Sequence, residues 1–247
     1  MPEGPSIVIL KELVAGFEGR TISHASGNSS AVPFDELAGQ PVLSMRSWGK
    51  HFLVELPLYA LRIHFLMFGS YRINERKDNA TPRLSLQFEE GGELNFYTCS
   101  IKLVEGTLEQ AYDWRADVMS DMWSPRLALK KLRENPGRLV CDVLLDQNIF
   151  SGVGNIIKNE VLFRIHIHPL STVMELPVSK LRAMVNEARQ YSFDFLAWKK
   201  EYVLRQHWLV HNKRICPRCD IPLQRAHLGL ANRRAFWCER CQKRYGK

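Results

Sequence analysis

At 247 residues, with 45% hydrophobic and 24% charged side chains, the chain has the make-up of an average soluble globular protein and room for two domains with their own cores. No apolar run approaches the roughly 18 residues needed to span a bilayer, so no membrane partner is expected. The formal charge of +8 is unevenly spread: Lys199–Lys247 carries a net +10 and everything before it a net −2.

The opening Met-Pro-Glu-Gly-Pro-Ser has no basic region followed by an apolar stretch, so it does not read as a secretory signal. With six cysteines, four of them in Cys-x-x-Cys pairs, a reducing cytoplasm is the expected compartment (nucleoid-associated in a bacterium). Residues 5–17 predict a helix, with Pro5 suited to its first turn and Ile9, Leu10, Leu13, Val14 and Phe17 at helical spacing. From about Thr21 to Val104 the pattern becomes short alternating runs, among them HFLVEL, LRIHFL, LSLQF and ELNFY, divided by turn-like stretches. No helical crossover separates these runs, which predicts a β-sandwich or partly open barrel rather than a parallel α/β sheet. After Asp113 the reading turns helical, through SPRLALKKLRE, GRLVCDVLLDQ, GNIIKNEVLFR and SKLRAMVNEARQYSFDFLAW. The expectation is an α+β chain: residues 1–112 a β-sandwich with a leading helix, 113–210 helical, and 211–247 a separate finger.

Three features carry chemistry. Cys216-Pro-Arg-Cys219 and Cys238-Glu-Arg-Cys241 stand 18 residues apart, the spacing of two hairpin knuckles that surround one structural Zn²⁺ with four thiolates. Two disulfides or four free thiols are the other options, and Cys99 and Cys141 read as buried small hydrophobes. Asn232-Arg233-Arg234 lies between the two pairs, where arginine can grip phosphate with a bidentate fork or merely decorate a turn. Before that, Gly152-Val153-Gly154-Asn155 opens a helix. Glycines at such a position let a phosphate reach unpaired backbone N–H groups, although many helices begin this way. The clustered basic charge of the last fifth points the same way, to a polyanion; aromatics and cysteines within it argue for a folded element rather than a solubilising tail.

Taken in order, Met1-Pro2-Glu3-Gly4-Pro5, Trp48-Gly49-Lys50-His51, Leu144–Gln147 with Gly152–Glu160, and the ribbon with Arg233 five residues before Cys238 resemble the formamidopyrimidine-DNA glycosylase/endonuclease VIII family over essentially the whole chain. The resemblance implies a β-sandwich joined to a helix-two-turn-helix domain with a zinc finger, binding damaged double-stranded DNA as a monomer with one structural Zn²⁺ and no small-molecule cofactor. It implies a bifunctional glycosylase and abasic-site lyase. Removal of Met1 would leave Pro2 as a secondary amine that attacks the sugar through a Schiff base, after which β/δ-elimination cuts the strand. Position by position, Glu3 resembles the proton shuttle, Lys50 the lysine near the lesion and its phosphate, and Asn155 with Arg233 the backbone-phosphate clamp; His64 resembles a histidine near the DNA backbone.

Leu66, Met67 and Phe68 fall where the endonuclease VIII branch keeps an intercalating triplet, although three strand residues facing the core would look the same. The branch that excises 8-oxoguanine usually inserts Arg-Phe in a later loop, and Tyr97–Ile101 holds neither residue there. That branch's long Gly/Ser-rich loop before the finger is also absent, since Trp198–Val210 is short, so oxidised pyrimidines are the expected substrate. A purine-directed enzyme and a non-catalytic damage-binding protein are the alternatives. Two departures stand out: Ser6 occupies a position where the family commonly has glutamate, and the interval between the cysteine pairs is slightly longer than usual.

Overall fold

The computed structural model describes residues 2–246, and the chain divides into two compact units, the first ending at Asp113 and the second beginning at Trp114. In the first, helix α1 (Gly4–Val14) starts behind Glu3, whose extended backbone (φ −116°, ψ 172°) sets the N-cap. Pro5 lies in the first turn, where the N–H it lacks has no intrahelical partner to lose. Ile7, Leu10 and Val14 form its buried stripe, and a 3₁₀ turn (Ala15–Phe17) finishes the segment.

After α1 come β1 (Ile22–Ser26), α2 (Phe34–Leu37), β2 (Ser44–Trp48), β3 (His51–Glu55), β4 (Tyr59–His64), β5 (Ser70–Ile73), β6 (Leu84–Phe88), β7 (Glu93–Tyr97), β8 (Ser100–Glu105) and α3 (Leu108–Ala111). The strands form two four-stranded antiparallel sheets, ordered β1-β6-β7-β5 and β2-β3-β4-β8. One core joins them, with Phe52, Val54, Leu61 and Ile63 from the second sheet and Leu84, Leu86, Leu94 and Phe96 from the first; α1 contributes its stripe. In β4, β6 and β7 the core-facing residues alternate, the pattern visible in the sequence, whereas Phe52, Leu53 and Val54 of β3 are all buried.

The second unit contains α4 (Pro125–Arg133), α5 (Val140–Val143), α6 (Asn155–Arg164), α7 (Val178–Lys200) and a terminal hairpin of β9 (Gln224–Leu228) and β10 (Arg233–Trp237). Ser124 caps α4, its Oγ accepting from Leu127 N at 3.2 Å, and Lys130, Lys131 and Arg133 face the negative end of that helix dipole. In α6 the run Ile157–Phe163 is buried throughout, while α7 packs on it with Leu181, Met184, Val185, Ala188, Tyr191 and Phe195. Among the described residues no helix is long and apolar enough to cross a membrane.

One element differs from its reading in the sequence. GRLVCDVLLDQ predicts a full helix, but α5 stops at Val143. Beyond it, Leu145 N and Asp146 N bond only three residues back, to Asp142 and Val143 carbonyls. Asp146 then turns its carboxylate to Asn148 N (2.9 Å) and to the Arg138 guanidinium (2.6 Å), and Gln147 bridges to Leu145 O, Val153 O and Gly152 N. Side chains offering the backbone these alternatives end a helix that apolar spacing alone would continue.

Candidate functional site

In the first unit, Pro2 is half-buried and Glu3 fully buried at the head of α1. Met1, whose removal the proline chemistry requires, lies outside the described residues. Helix α1 packs on β2 and β3, and the two-residue turn of that hairpin, Gly49-Lys50, carries the lysine. Trp48 pairs with His51 across the turn, and Gly49 supplies the φ of +53° that so short a connection needs.

Around Lys50 the strands assemble a basic and aromatic cluster. His51 pairs in register with His64 on β4, their ring centroids 5.6 Å apart, and Trp48 lies 5.5 Å from His51 and 4.9 Å from Tyr112. Burial raises the Tyr112 pKa and the charge of Arg62 opposes that rise, and Trp48 Nε1 donates to Asp113 O at 3.1 Å. Burial above all, then the charges of Arg62, His64 and Lys50, pushes the His51 pKa down to about 3. Its buried Nδ1 has no hydrogen-bond partner, which agrees with a neutral ring, since an imidazolium would strand an N–H there. Burial followed by Lys50 and Arg62 also lowers His64. Both rings are therefore neutral beside a lysine and an arginine at physiological pH, a cluster whose positive charge comes from the long side chains.

Immediately after His64 the chain leaves the sheet. Leu66, Met67 and Phe68 are 47%, 52% and 79% exposed, and none belongs to a strand. Leu66 adopts a φ of +37°, with its N–H 3.4 Å from His64 Nδ1, and Gly69 closes the loop by donating to Phe65 O at 3.0 Å. A Cβ at Gly69 would stand 2.4 Å from that same oxygen, so only glycine closes this loop as built. Three adjacent apolar side chains are thus displayed to solvent from a tight, anchored loop, whereas the core takes Phe65.

In the second unit the sequence-nominated residues Asn155 and Arg233 are brought together. Asn155, first residue of α6, donates from Nδ2 to Arg234 O at 2.9 Å, tying the helix N-terminus to the start of β10, where Arg233 sits. Lys158 Nζ donates to Asn155 Oδ1 at 2.9 Å and Asn159 Nδ2 reaches Arg234 O at 3.3 Å. The tip of the β9–β10 hairpin is held from below by the buried Asp142 carboxylate, which accepts from Leu230 N (3.0 Å) and Ala231 N (3.3 Å). Gly229, at φ +70°, makes that approach possible, since a Cβ would meet Asp142 Oδ1 at 2.2 Å. Glu160, also fully buried, accepts from the backbone N–H groups of Leu209, Val210 and His211 and so fixes the segment entering the finger.

The ligating sulfurs of Cys216, Cys219, Cys238 and Cys241 all lie within 4.8 Å of one another, and Cys216 Sγ and Cys241 Sγ are 3.8 Å apart. A tetrahedral ion with metal–sulfur bonds of ~2.3 Å separates its ligands by about 3.8 Å, so four thiolates at these positions fit one metal ion. Each pair sits in a tight turn: Asp220 N donates to Cys216 O at 3.0 Å, and Cys238 N donates to Gln242 Oε1 at 2.9 Å.

Sequence reasoning named Pro2, Glu3, Lys50, His64, Leu66, Met67, Phe68, Asn155, Arg233 and the four cysteines. It did not assign roles to Arg62, Tyr112, Asp142, Lys158 or Asn159. Lys158 had one available signal, its spacing three residues from Asn155 on one helix face. Asp142 had none, because its partners lie 88 and 89 residues downstream.

The chain thus combines a β-sandwich unit with a helical unit that carries a four-cysteine cluster and a terminal hairpin. Comparison with known proteins makes the class specific. Residues 1–99 match the formamidopyrimidine-DNA glycosylase N-terminal domain and residues 116–192 the formamidopyrimidine-DNA glycosylase H2TH domain. Endonuclease 8-like 2 of Bos taurus is 37% identical over 201 residues, covering 74% of this chain and 58% of the relative; Endonuclease 8-like 3 of Bos taurus is 32% identical over 216 residues, covering 83% and 35%. The chain thus spans less than two thirds of the length of these curated relatives. The fold matches Lactococcus lactis formamidopyrimidine-DNA glycosylase bound to abasic-site DNA with a TM-score of 0.85 at 20% identity, over 98% of this chain and 100% of the other. The chain belongs to the formamidopyrimidine-DNA glycosylase/endonuclease VIII family, on its endonuclease 8-like side.

Proposed function

We propose that the protein is a bifunctional DNA glycosylase and abasic-site lyase of base excision repair that acts on oxidised pyrimidines in double-stranded DNA. The observation that carries this reading is the match of residues 1–99 to the family's N-terminal domain, since that stretch contains Pro2, Glu3 and Lys50 together.

With Met1 removed, Pro2 presents a secondary amine, and a model α-amino group with a pKa near ~8 leaves a useful neutral fraction at physiological pH. The ring nitrogen bonds to C1′ as the bond from C1′ to the damaged base breaks; the base departs with that electron pair and gains a proton while the nitrogen loses one, and the C1′–O4′ bond then breaks, O4′ taking a proton, to leave the iminium. The iminium acidifies the C2′ protons. Loss of one expels the 3′ phosphate, a second elimination expels the 5′ phosphate, and water returns the amine. Glu3, buried beside Pro2, is the group that moves protons during sugar ring opening and hydrolysis. Lys50 meets the phosphate next to the lesion, and the neutrality of His51 and His64 leaves that task to its ammonium.

Extruding a base leaves a gap in the stack, and the exposed Leu66, Met67 and Phe68 supply apolar surface to fill it. Asn155 and Arg233 clamp the backbone, with His64 beside it. The preference for pyrimidines is supported by the connection after β7: only Thr98 and Cys99 separate Tyr97 from Ser100, which leaves no inserted Arg-Phe loop. The four cysteine thiolates hold one Zn²⁺, which closes the finger and takes no part in the chemistry.

The test is borohydride trapping on duplexes carrying 5-hydroxyuracil, thymine glycol, 8-oxoguanine or an abasic site. A covalent band is expected with the pyrimidine lesions and the abasic site, and Pro2→Gly should weaken it. A band with the abasic site alone would refute base excision, and strongest trapping on 8-oxoguanine would refute the pyrimidine assignment. Full activity in a preparation whose mass shows Met1 retained would remove the nucleophile.

A further inference from the structure

We propose that Lys158 is a positioning residue of the phosphate clamp, setting the orientation of the Asn155 side chain and the start of β10; this rests on the reading of Asn155 and Arg233 as phosphate-binding. Lys158 is 1% exposed, an unusual site for an ammonium, and it lies one helical turn after Asn155. Its Nζ donates to Asn155 Oδ1 at 2.9 Å and reaches Arg234 O at 3.3 Å.

The consequence is one of hydrogen-bond geometry. An asparagine amide can present either its oxygen or its NH₂ to a given side. A lysine ammonium is donor-only, so Asn155 must turn Oδ1 toward Lys158, and Nδ2 is then directed at Arg234 O. One Nδ2 hydrogen serves that carbonyl; the other is left as a donor at the N-terminus of α6, the end of the helix where a phosphate is attracted. With the amide flipped, an acceptor oxygen would face the anion instead. Through Arg234 O, the same ammonium holds the residue next to Arg233, so both halves of the clamp are referenced to one buried charge. Asn159 Nδ2, at 3.3 Å from the same carbonyl, braces it further.

The experiment is a double-mutant cycle on the full chain, reading the Kd for a duplex containing a tetrahydrofuran abasic analogue. Thermal melting and zinc content are measured alongside it. Lys158→Met, similar in length but uncharged, should weaken binding about tenfold, the size of one charge-assisted hydrogen bond, with zinc content kept. The single-turnover trapping rate at saturating DNA should be unchanged, a split that general loss of structure would not give. Asn155→Ala should cost a similar factor, and adding it to Lys158→Met should cost little more, because both changes remove the same oriented donor. If Lys158→Met does not fold, Lys158→Gln takes its place, with a loss of about threefold expected because a donor remains at shorter reach. Additive losses, or wild-type affinity in the lysine variant while Asn155→Ala binds weakly, would overturn the role of Lys158 alone. Wild-type affinity in Asn155→Ala would overturn the clamp reading and this inference with it.

Discussion

His51 makes the N-terminal unit acid-sensitive in a calculable way. Its folded-state pKa is held at about 3, against 6.5 for the free side chain, by burial and then by Arg62, His64 and Lys50. The shift is a depression, so the stability it carries is fully present above pH 6.5 and is lost as pH falls toward 3, because the unfolded chain takes up a proton that the folded ring refuses. Each pH unit in that window removes ~1.4 kcal/mol, and the loss between pH 7.5 and pH 5 is about 2 kcal/mol. Native-state hydrogen exchange of the β3 and β4 amides reads this unit by itself, and His51→Gln removes the titrating group. The comparison is between slopes: the wild type should lose about 2 kcal/mol more than the variant over that interval, whatever their absolute stabilities. An NMR titration of the His51 ring should show no protonation above about pH 4. A midpoint near 6.5, or identical acid slopes for wild type and His51→Gln, would refute the picture of a buried, unpartnered imidazole beside two cations.

Gly229→Ala should strain the left-handed backbone and displace the Asp142 carboxylate from Leu230 and Ala231, at a cost on the order of 3 kcal/mol; unchanged melting of the helical unit would contradict the anchoring of the hairpin tip. Cys238→Ser, or a strong chelator, should unfold the finger and lower DNA affinity, because metal-binding energy in such an element is folding energy; retained affinity in a zinc-free preparation would oppose this. Met67→Ala with Phe68→Ala should reduce lesion trapping about tenfold or more, the scale of one or two lost stacking contacts. Melting should barely change, since both side chains are more than half exposed, and wild-type trapping would show that the loop fills no gap.

Much of the fold was legible because it follows from local rules. Proline in the first turn of α1, alternating apolar residues in β4, β6 and β7, Ser124 before Pro125, and the long apolar stripe of α7 each specify an element through a few neighbouring side chains. The Cys-x-x-Cys pairs were legible for the same reason, since each places two sulfurs on one tight turn. The early end of α5 was not, because Asp146 and Gln147 spend their side chains on partners that periodicity does not see.

The sequence by itself nominated the residues of the proposed chemistry: a proline next to a glutamate, a lysine on a glycine turn, an asparagine opening a helix, and four thiols in two pairs. Only the tertiary structure decided their surroundings. It turned Leu66, Met67 and Phe68 outward while burying Phe65, set His51 against Arg62 and Tyr112, and placed Lys158 beneath Asn155 and the Arg234 carbonyl. Hydrogen bonding and burial depend on atoms brought together from distant positions, such as Asp142 with Leu230 across 88 residues. Side-chain type is written along the chain; its desolvation, and the partners that direct its donors, exist only once the chain has closed on itself.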